Sequence, residues 1–225
     1  MLILGMDTTG NTLSVALCKD EKLLCEIYID TTKKHSKTLM QAVDSVLRFA
    51  DTDVLDVDVF ACASGPGSFT GIRIGVATCC AMAHAAQKPI ASVNTLEALI
   101  KNADGQTAVC AVMDARRQEV YALAKKGETY LVEQGALPLL ELIKKLPKEP
   151  VLFVGDGAVV YKDMILQQKP NSLFLQQQFI MQRGSSVCVC AYGLAQAGKL
   201  LRYDEVQPQY LRESQAERLR KENLG

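Results

Sequence analysis

The feature that most constrains this sequence is a glycine-rich stretch, SGPGSFTGIRIG, at residues 64–75. It follows an apolar run at residues 59–63, which predicts a buried strand, and leads into small and apolar residues 76–86, which predict a helix. Glycine permits positive φ and close backbone approach, so the four glycines and one proline indicate a fixed loop. A strand, a glycine loop and a helix N-terminus can together present backbone N–H groups to an anion.

The spacing of this loop excludes two familiar phosphate-binding motifs. No Gly-Lys-Ser/Thr ends the stretch, as a Walker loop would require. No acidic residue closes a following strand at the distance of a dinucleotide fingerprint. Two interpretations stay open: a tight turn that lets the helix pack on its sheet, and a phosphate cradle.

The charge balance argues against a protein that holds nucleic acid by itself. Lys and Arg together number 25, equal to Asp and Glu, so the formal net charge is zero. RNA-binding proteins normally show a basic excess or a basic face. Tryptophan is absent and aromatic residues make up 6% of the chain, so platforms for base stacking are scarce. We expect any contact with nucleic acid to depend on a partner.

The eight cysteines predict core positions in a reduced, cytoplasmic protein. Most of them lie inside apolar runs, and no pair has Cys-x-x-Cys spacing. The N-terminus has no basic region and too short an apolar run for a signal peptide. No apolar stretch is long and uninterrupted enough to span a bilayer. We therefore expect a cytoplasmic protein without a membrane partner.

Part of the chain repeats itself. Residues 112–114, VMD, resemble residues 5–7, GMD, and residues 120–123, VYAL, resemble residues 14–17, SVAL, with a slip of one residue. A strand, an acidic turn and a second strand recur in both halves, which indicates a duplicated unit. The match is short, so chance similarity is the open alternative. Polar residues 102–106 mark the boundary between the halves.

Acidic turns follow three of the predicted strands, at Asp7, Asp114 and Asp156. A carboxylate and hydroxyl groups at strand ends can place a magnesium ion and phosphate oxygens. Asp and Thr are also good turn formers, so a structural role is the alternative for each turn. Together with the glycine loop, these turns give the candidate nucleotide-binding residues Asp7, Thr8, Thr9, Gly65, Gly67, Gly155, Asp156 and Gly157.

The sequence offers no candidate catalytic or metal-binding residue. Its two histidines, His35 and His84, are far apart, and neither a His-x-x-x-His nor a His-Glu-x-x-His pattern occurs. A nucleophile elbow of the form Gly-x-Ser-x-Gly is missing as well. We expect His35 to be exposed and His84 to serve as a packed or capping residue.

The helix predicted after the glycine loop has no polar face. Apart from Arg73, Thr78 and His84, residues 72–86 are apolar or small all the way round. One side can rest on its own sheet. The other side is either buried within the chain or left as an exposed apolar surface that suits another helix. We favour the protein interface.

Several motifs along the chain carry a family resemblance. They are MDTT at residues 6–9, the glycine loop, VNTLEAL at residues 93–99, DARRQEVY at residues 114–121 and PQYLR at residues 208–212. Over essentially its whole length the chain resembles the bacterial TsaB (YeaZ) family, and the glycine loop and the DARRQEVY block are highly specific together.

The resemblance implies an α/β fold of the actin/Hsp70/sugar-kinase (ASKHA) class, built from two RNase H-like lobes with mixed sheets flanked by helices. It implies an N-terminal lobe at residues 1–104 that carries partner-binding helices. The C-terminal lobe would take up residues 105–225 and end in a charged tail.

The resemblance also implies a role in making threonylcarbamoyladenosine beside the anticodon of tRNAs that read codons beginning with A. The chain would be a non-catalytic scaffold or activator, required with its paralogue TsaD and with TsaE. TsaD holds a metal through two histidines, and at the matching positions this chain has Thr95 and Leu99, neither of them a good ligand. We expect no cofactor on this chain, with ATP and a metal on TsaD and TsaE. The alternative is an independent ATP-dependent small-molecule kinase or ATPase of the same fold.

The expected partners are TsaD in a heterodimer, TsaE, a second copy of the chain when TsaD is absent, and tRNA only through the complex. The helices at residues 36–50 and 71–86 are expected to form a bundle with the matching helices of the partner. Small residues that recur every four positions in the second helix would let a partner helix approach closely. The predicted interface residues are Leu39, Met40, Val43, Leu47, Ile74, Ala77, Cys80, Ala81, His84 and Ala85.

Overall fold

The structure is a computed structural model that describes residues 1–31, 34–103 and 107–212. These residues form two lobes, each built on a five-stranded mixed sheet with helices on both faces. The lobe boundary predicted at residues 104 and 105 and the charged tail predicted after residue 212 lie outside the described residues.

The strands divide equally between the two sheets. Those of the N-terminal sheet are β1 (Leu2–Asp7), β2 (Leu13–Lys19), β3 (Lys22–Ile29), β4 (Val59–Gly65) and β5 (Ile90–Asn94). Those of the C-terminal sheet are β6 (Ala108–Asp114), β7 (Glu119–Lys126), β8 (Thr129–Pro138), β9 (Val151–Val154) and β10 (Leu173–Phe174).

The helices lie between and after these strands. They are α1 (His35–Phe49), a 3-10 turn (Val54–Asp56), α2 (Phe69–Ala86), α3 (Thr95–Ile100), α4 (Leu139–Lys145), α5 (Asp156–Val160), α6 (Lys162–Gln168) and α7 (Gly184–Gln196).

The two sheets have the same topology, which confirms the duplicated unit. The N-terminal strand order is β3-β2-β1-β4-β5, and the corresponding C-terminal order is β8-β7-β6-β9-β10. In each sheet three antiparallel strands are continued by two parallel ones. The slip of one residue between the two repeats lies in the turn between the first two strands of each sheet. Six residues (8–13) separate the paired Asp7 and Ser14, whereas five (115–119) separate the paired Asp114 and Val120.

The central strands are apolar on both faces because helices cover both. In β1, Leu4 and Met6 face the core beneath α1 and α2, and Ile3 faces the core beneath α7. Such double coverage explains why β1 and β4 are continuous apolar runs and do not alternate. The α1 helix is amphipathic as predicted, with a buried stripe that includes Val43 and Val46.

One helix crosses from each half of the chain to the sheet of the other half. The α3 helix packs Leu96 and Leu99 into a cluster with the C-terminal strands β6, β7 and β9. The α7 helix packs Val187 and Ala191 on the N-terminal sheet. It lies so close that a Cβ at Gly184 would come within 2.8 Å of the backbone of β2. The lobes are therefore joined by an exchange of helices.

Several helix boundaries that residue patterns predict are wrong. Ser36 is a plausible N-cap by residue type, but α1 begins at His35 after an N-cap Lys34 that makes no side-chain cap. Apolar spacing predicts one helix at residues 159–168, whereas two helices lie there and the first begins at Asp156. The apolar residues 187–201 also predict a helix, which runs from Gly184 to Gln196.

At α3 the residue pattern predicts the start correctly. Asn94 or Thr95 is the predicted cap by residue type, and Asn94 Oδ1 accepts hydrogen bonds from the amides of Leu96 and Glu97.

Two predictions about composition have different outcomes. All eight cysteines are free; Cys18, Cys62, Cys79, Cys110 and Cys188 are buried and the other three are half-buried. The expectation that no stretch could span a bilayer is wrong by length and composition, since α2 has 18 residues with a mean hydropathy of 1.2. One such helix is weak support for a membrane span, because core helices of soluble proteins have the same character.

We predict opposite effects for alanine at two helical glycines. A Cβ at Gly71 in α2 would overlap the carbonyl oxygen of Thr8, so Gly71→Ala should lower the free energy of unfolding by about 1–3 kcal/mol. A Cβ at Gly193 in α7 would meet nothing within 4 Å, so Gly193→Ala should raise it by about 0.5–1 kcal/mol. Urea denaturation of both variants measures the difference, and equal effects would contradict the close packing of α2 on β1.

Candidate functional site

A polar cleft of about 500 Å³ lies between the two lobes. Its walls come from the β1–β2 turn, the loop before α2, the end of β6, the start of α5 and the segment that follows residue 208. The lining residues are Thr9, Gly10, Asn11, Gly67, Ser68, Phe69, Thr70, Met113, Asp114, Ala115, Arg116, Tyr121, Asp156, Gln209, Tyr210, Leu211 and Arg212. The duplicated sheets thus bring their equivalent acidic turns to one place.

Asp7 lies beneath the cleft and is 1% exposed. Its Oδ1 accepts hydrogen bonds from the Thr9 amide at 2.8 Å and the Thr9 hydroxyl at 2.7 Å. Its Oδ2 is buried without a hydrogen-bond partner among the described residues. Burial raises the pKa of Asp7 to about 6, although the Thr9 hydrogen bonds and the charge of His35 act in the opposite direction.

The second lobe carries a similar carboxyl group. Asp156 lines the cleft, and its Oδ1 is buried with no partner in the part of the chain that the structure describes. Burial, together with the nearby charge of Asp114, raises the pKa of Asp156 to about 6. Asp114 itself is satisfied, since its Oδ1 accepts from Tyr161 Oη at 2.6 Å and from the Arg116 amide at 2.8 Å. Two unpaired carboxyl oxygens are groups that a cation could satisfy.

The predicted glycines are explained by contacts within the chain. A Cβ at Gly65 would overlap the carbonyl oxygen of Gln209, and one at Gly67 would lie 2.5 Å from the carbonyl oxygen of Thr9. The Ser68 amide donates to that same carbonyl at 2.7 Å, so it does not face an anion. Ser68 also caps α2, accepting from the Gly71 amide at 3.3 Å. These contacts favour the tight-turn interpretation of the glycine loop.

The glycines of the C-terminal half have the same role. A Cβ at Gly155 would overlap the carbonyl oxygen of Val112, and one at Gly157 would lie 3.0 Å from the backbone of Met113. Gly155 also has a φ of 98°, which an L-residue rarely adopts. Both residues therefore let the start of α5 lie directly on β6.

The remaining predicted nucleotide-site residues lie together, apart from the two residues at the positions of the TsaD metal histidines. Asp7, Thr8 and Thr9 are together under the glycine loop, where Thr8 Oγ1 donates to the Gly71 carbonyl oxygen at 2.7 Å. Thr95 and Leu99 are both buried on α3. Across residues 1–31, 34–103 and 107–212 no group of three or more His, Cys, Asp or Glu side chains could hold a metal ion.

The predicted interface set needs a correction. Leu39, Val43 and Leu47 are buried in the N-terminal core and cannot reach a partner. They form the stripe by which α1 packs on its own sheet, and amphipathic spacing alone does not say which surface covers such a stripe. Met40 on α1 is 54% exposed and stays available.

The outer face of α2 remains at the surface. Ala77, Ala81 and Ala85 are exposed and recur every four residues along the helix, whereas Ile74 and Cys80 beside them are half-buried. These small side chains form a flat apolar stripe on the helix. We call Ala77, Ala81 and Ala85 the α2 stripe.

His84 packs against a neighbouring ring as predicted, whereas His35 is not exposed as predicted. His84 is exposed and stacks on the Tyr203 ring at a centroid distance of 4.0 Å, next to the α2 stripe. His35 is half-buried, with its Nε2 2.9 Å from the carbonyl oxygen of Gly10.

Sequence reasoning missed two features of the cleft. Arg116, Arg117 and Gln118 are consecutive left-handed residues in the β6–β7 turn, a conformation that non-glycine residues rarely adopt. Gln209 and Arg212 also line the cleft, although their motif enters the sequence analysis only through the family resemblance. The only sequence signal was the motif itself, since neither feature has a periodic pattern.

We predict that the buried charge of Asp7 costs stability. Because its folded pKa is about 6 against an ordinary 3.8, the folded state binds the proton more tightly. The penalty, on the order of 3 kcal/mol, is fully present above pH 6 and is relieved as the pH falls toward 3.8. Asp7→Asn keeps the acceptor for Thr9, so it should melt at a higher temperature than the parent at pH 7.5. At pH 4.5 the difference should shrink to about a third, because only about 1 kcal/mol of the penalty is left there.

The control for this experiment is Asp44→Asn, at an exposed position on α1. Its melting temperature should follow that of the parent at both pH values. An Asp7→Asn variant that melts below the parent at pH 7.5 would contradict the penalty.

Comparison with known proteins gives the family. Residues 26–219 match the protein-family model described as TsaD: tRNA N6-adenosine threonylcarbamoyltransferase. The tRNA threonylcarbamoyladenosine biosynthesis protein TsaB of Bacillus subtilis is 35% identical over 176 residues, which cover 73% of this chain and 75% of that protein.

Solved structures agree with the fold. A Pseudomonas aeruginosa protein described as similar to peptidase YEAZ superposes with a TM-score of 0.81 at 26% identity, over 94% of this chain and 99% of that one. The ROK hexokinase of Thermus thermophilus superposes with a TM-score of 0.53 at 13% identity, over 88% of this chain and 100% of that one. The second likeness concerns the fold alone, and it confirms the sugar-kinase-like architecture. On sequence and structure together, the chain belongs to the TsaB (YeaZ) family.

Proposed function

We propose that this chain is a non-catalytic scaffold or activator that works in the cytoplasm with TsaD and TsaE. The complex would make threonylcarbamoyladenosine beside the anticodon of tRNAs that read codons beginning with A. Membership of the TsaB family supports the place in this biosynthesis. The surface and the cleft of the chain itself support the scaffold role.

The α2 stripe is the observation that carries the proposal. Ala77, Ala81 and Ala85 are exposed on a helix that has almost no polar residues. Alanine side chains let two helix backbones approach closely, and an apolar face of this length is poorly suited to water. Met40 on the neighbouring α1 extends the apolar surface. A helix pair of a protein with the same fold is the occupant that such a surface fits.

The residues at the TsaD-like metal position support a silent subunit. Thr95 and Leu99 are 0% and 1% exposed, and Leu99 belongs to the apolar cluster between α3 and the C-terminal sheet. A leucine side chain cannot coordinate a metal, and threonine is a poor ligand. The threonylcarbamoyl transfer would therefore take place on TsaD, with ATP and a metal bound to TsaD and TsaE.

The charge balance supports indirect contact with tRNA. The formal net charge of the chain is zero, so its electrostatic attraction to the phosphate backbone of tRNA is weak. The tRNA would bind through the assembled complex. In the absence of TsaD, two copies of this chain would pair through the α2 stripe.

The interlobe cleft favours a second candidate function. The unpaired carboxyl oxygens of Asp7 and Asp156 could take a cation, as in an independent ATP-dependent kinase or ATPase of the same fold. The glycine loop argues against this candidate, because its glycines serve contacts within the chain.

We predict that the purified chain neither hydrolyses ATP at an enzymatic rate nor modifies tRNA when magnesium or another divalent metal is added. The reason is the lack of ligands at the TsaD-like position and of an activated nucleophile. Phosphate release and threonylcarbamoyladenosine content measure the two activities, with and without TsaD and TsaE. ATP turnover by the chain alone, lost in Asp156→Asn, would establish the kinase or ATPase alternative.

We predict that Ala81→Glu abolishes association with TsaD. A carboxylate buried without a partner in an interface costs about 3–5 kcal/mol, so the complex should weaken by roughly a hundredfold or more. The isolated variant should fold normally, because Ala81 is exposed in the single chain. Size-exclusion chromatography with TsaD of the same organism measures the complex, and the tRNA modification in cells should fall with it.

The matched control is Gln196→Glu. It adds the same charge at an exposed position of α7, which covers the other face of the N-terminal sheet. Gln196→Glu should bind TsaD as the parent does. If Ala81→Glu also binds normally, the α2 stripe is not the contact; if it unfolds, the helix is core and the interface lies elsewhere.

A further inference from the structure

The segment at residues 208–212, which we call the strap, touches both lobes where it lines the cleft. Before reaching the cleft the chain is tied to the N-terminal lobe. Leu201 forms a β-bridge with Ile90 of β5, and Val206 packs on the N-terminal core. The strap then runs from the N-terminal to the C-terminal wall of the cleft.

The first half of the strap is fixed to the N-terminal lobe through its backbone. The Gln209 amide donates to the carbonyl oxygen of Ser64 at 2.7 Å. Its side-chain Oε1 accepts from Asn94 Nδ2 at 3.2 Å. Gly65 is required for this approach, because any Cβ there would overlap the carbonyl oxygen of Gln209.

Tyr210 adds a side-chain contact to the same lobe. Its ring stacks on Phe69 at a centroid distance of 4.5 Å, and its hydroxyl accepts from Arg73 Nε at 2.9 Å. The Arg73 guanidinium, which lies over the Phe69 ring of the same helix, is also 5.9 Å from the centroid of the Tyr210 ring. The strap is therefore held at the N-terminus of α2 by stacking, a hydrogen bond and a cation–π contact.

The strap ends on the other lobe. Arg212 donates from Nη1 to the carbonyl oxygen of Ala115 at 3.2 Å and forms an ion pair with Glu119. The side chains of Arg212 and Glu119 are 17% and 34% exposed, so the pair is partly shielded from water. Both acceptors flank the left-handed β6–β7 turn, which forms the C-terminal wall of the cleft.

The lobes are joined a second time away from the cleft lining. There α3 packs on the C-terminal sheet, and Glu97 accepts from Tyr130 Oη at 2.6 Å and from Lys125 Nζ at 3.3 Å. A single junction of this kind would act as a hinge, because rotation about it breaks few contacts. The strap supplies a junction on the cleft side, where hinge motion would separate the walls most.

We propose that the strap is an interlobe clamp that holds the cleft of this chain at a fixed opening. Rotation of the lobes requires the release of Arg212 from Ala115 and Glu119, or of Gln209 and Tyr210 from the N-terminal lobe. The clamp keeps the β6–β7 turn of the C-terminal lobe at a constant distance from the glycine loop of the N-terminal lobe. A molecule that needs a wider cleft must first displace the strap.

The test severs the clamp at its C-terminal end only. Arg212→Ala leaves the contacts of Gln209 and Tyr210 in place, so any change in the N-terminal lobe is transmitted through the strap. Hydrogen–deuterium exchange should become roughly tenfold faster at the Gln209 amide and in the β6–β7 turn. Small-angle X-ray scattering should give a larger radius of gyration than that of the parent.

The matched control is Tyr203→Ala, which removes an aromatic stack from the same part of the chain. Tyr203 contacts His84 on α2, in the N-terminal lobe. This variant should leave exchange in the β6–β7 turn and the radius of gyration unchanged.

A milder variant covers the case in which Arg212→Ala fails to fold. Glu119→Gln keeps the shape of the acceptor and removes its charge, so it should speed exchange at the Gln209 amide in the same direction. The proposal is overturned if each variant that folds, Glu119→Gln alone included, exchanges as Tyr203→Ala does and has the parent radius of gyration.

Discussion

The reciprocal packing of α3 and α7 is the interaction on which the rest of the structure depends. Each sheet buries one of its faces under a helix supplied by the other half of the chain. The two lobes then cannot separate without exposing apolar surface, and burial of that surface is the main driving force for folding. The exchange of helices thereby places the equivalent acidic turns at one cleft, whose opening the strap then limits.

This arrangement also decides which surfaces remain for partners. With α7 on one face of the N-terminal sheet, α1 and α2 must cover the other. The side of α2 that packs inward carries Ile72, Val76 and Cys79, all buried. Among residues 1–31, 34–103 and 107–212, no helix or strand covers its outward side. The α2 helix is therefore apolar on both sides for different reasons. Its inner side packs in the core of the lobe, and its outer side carries the exposed α2 stripe.

Much of the secondary structure could be predicted because it depends on local sequence patterns. Continuous apolar runs identified β1 and β4, and the Asn94 side chain identified the start of α3. A local sequence pattern does not identify the residues against which a segment packs. The stripe of α1 that includes Leu39 was predicted to meet a partner, yet it meets its own sheet. Likewise Gly65 signals a close approach, but not that Gln209 is the residue that approaches.

The candidate site was predictable only in part for the same reason. Asp7 and Asp156 could be proposed from turn composition, whereas their burial and raised pKa depend on residues far away in sequence. The hydrogen bond from Tyr161 to Asp114 joins residues 47 positions apart. The contacts of Arg212 have no local sequence signal, since they lie in a segment without regular secondary structure.

The exchange of helices has a consequence for the way the chain is made. The last strand of the N-terminal sheet ends at Asn94, but the helix that covers its second face ends only at Gln196. At typical synthesis rates the ribosome needs about 5–20 s to produce the intervening residues. During that interval the α7 residues that pack on Ile3, Ala61 and Val93 have not been made, although all three side chains are buried in the finished protein. The nascent N-terminal half therefore carries exposed apolar surface during this interval, the condition under which aggregation competes with folding.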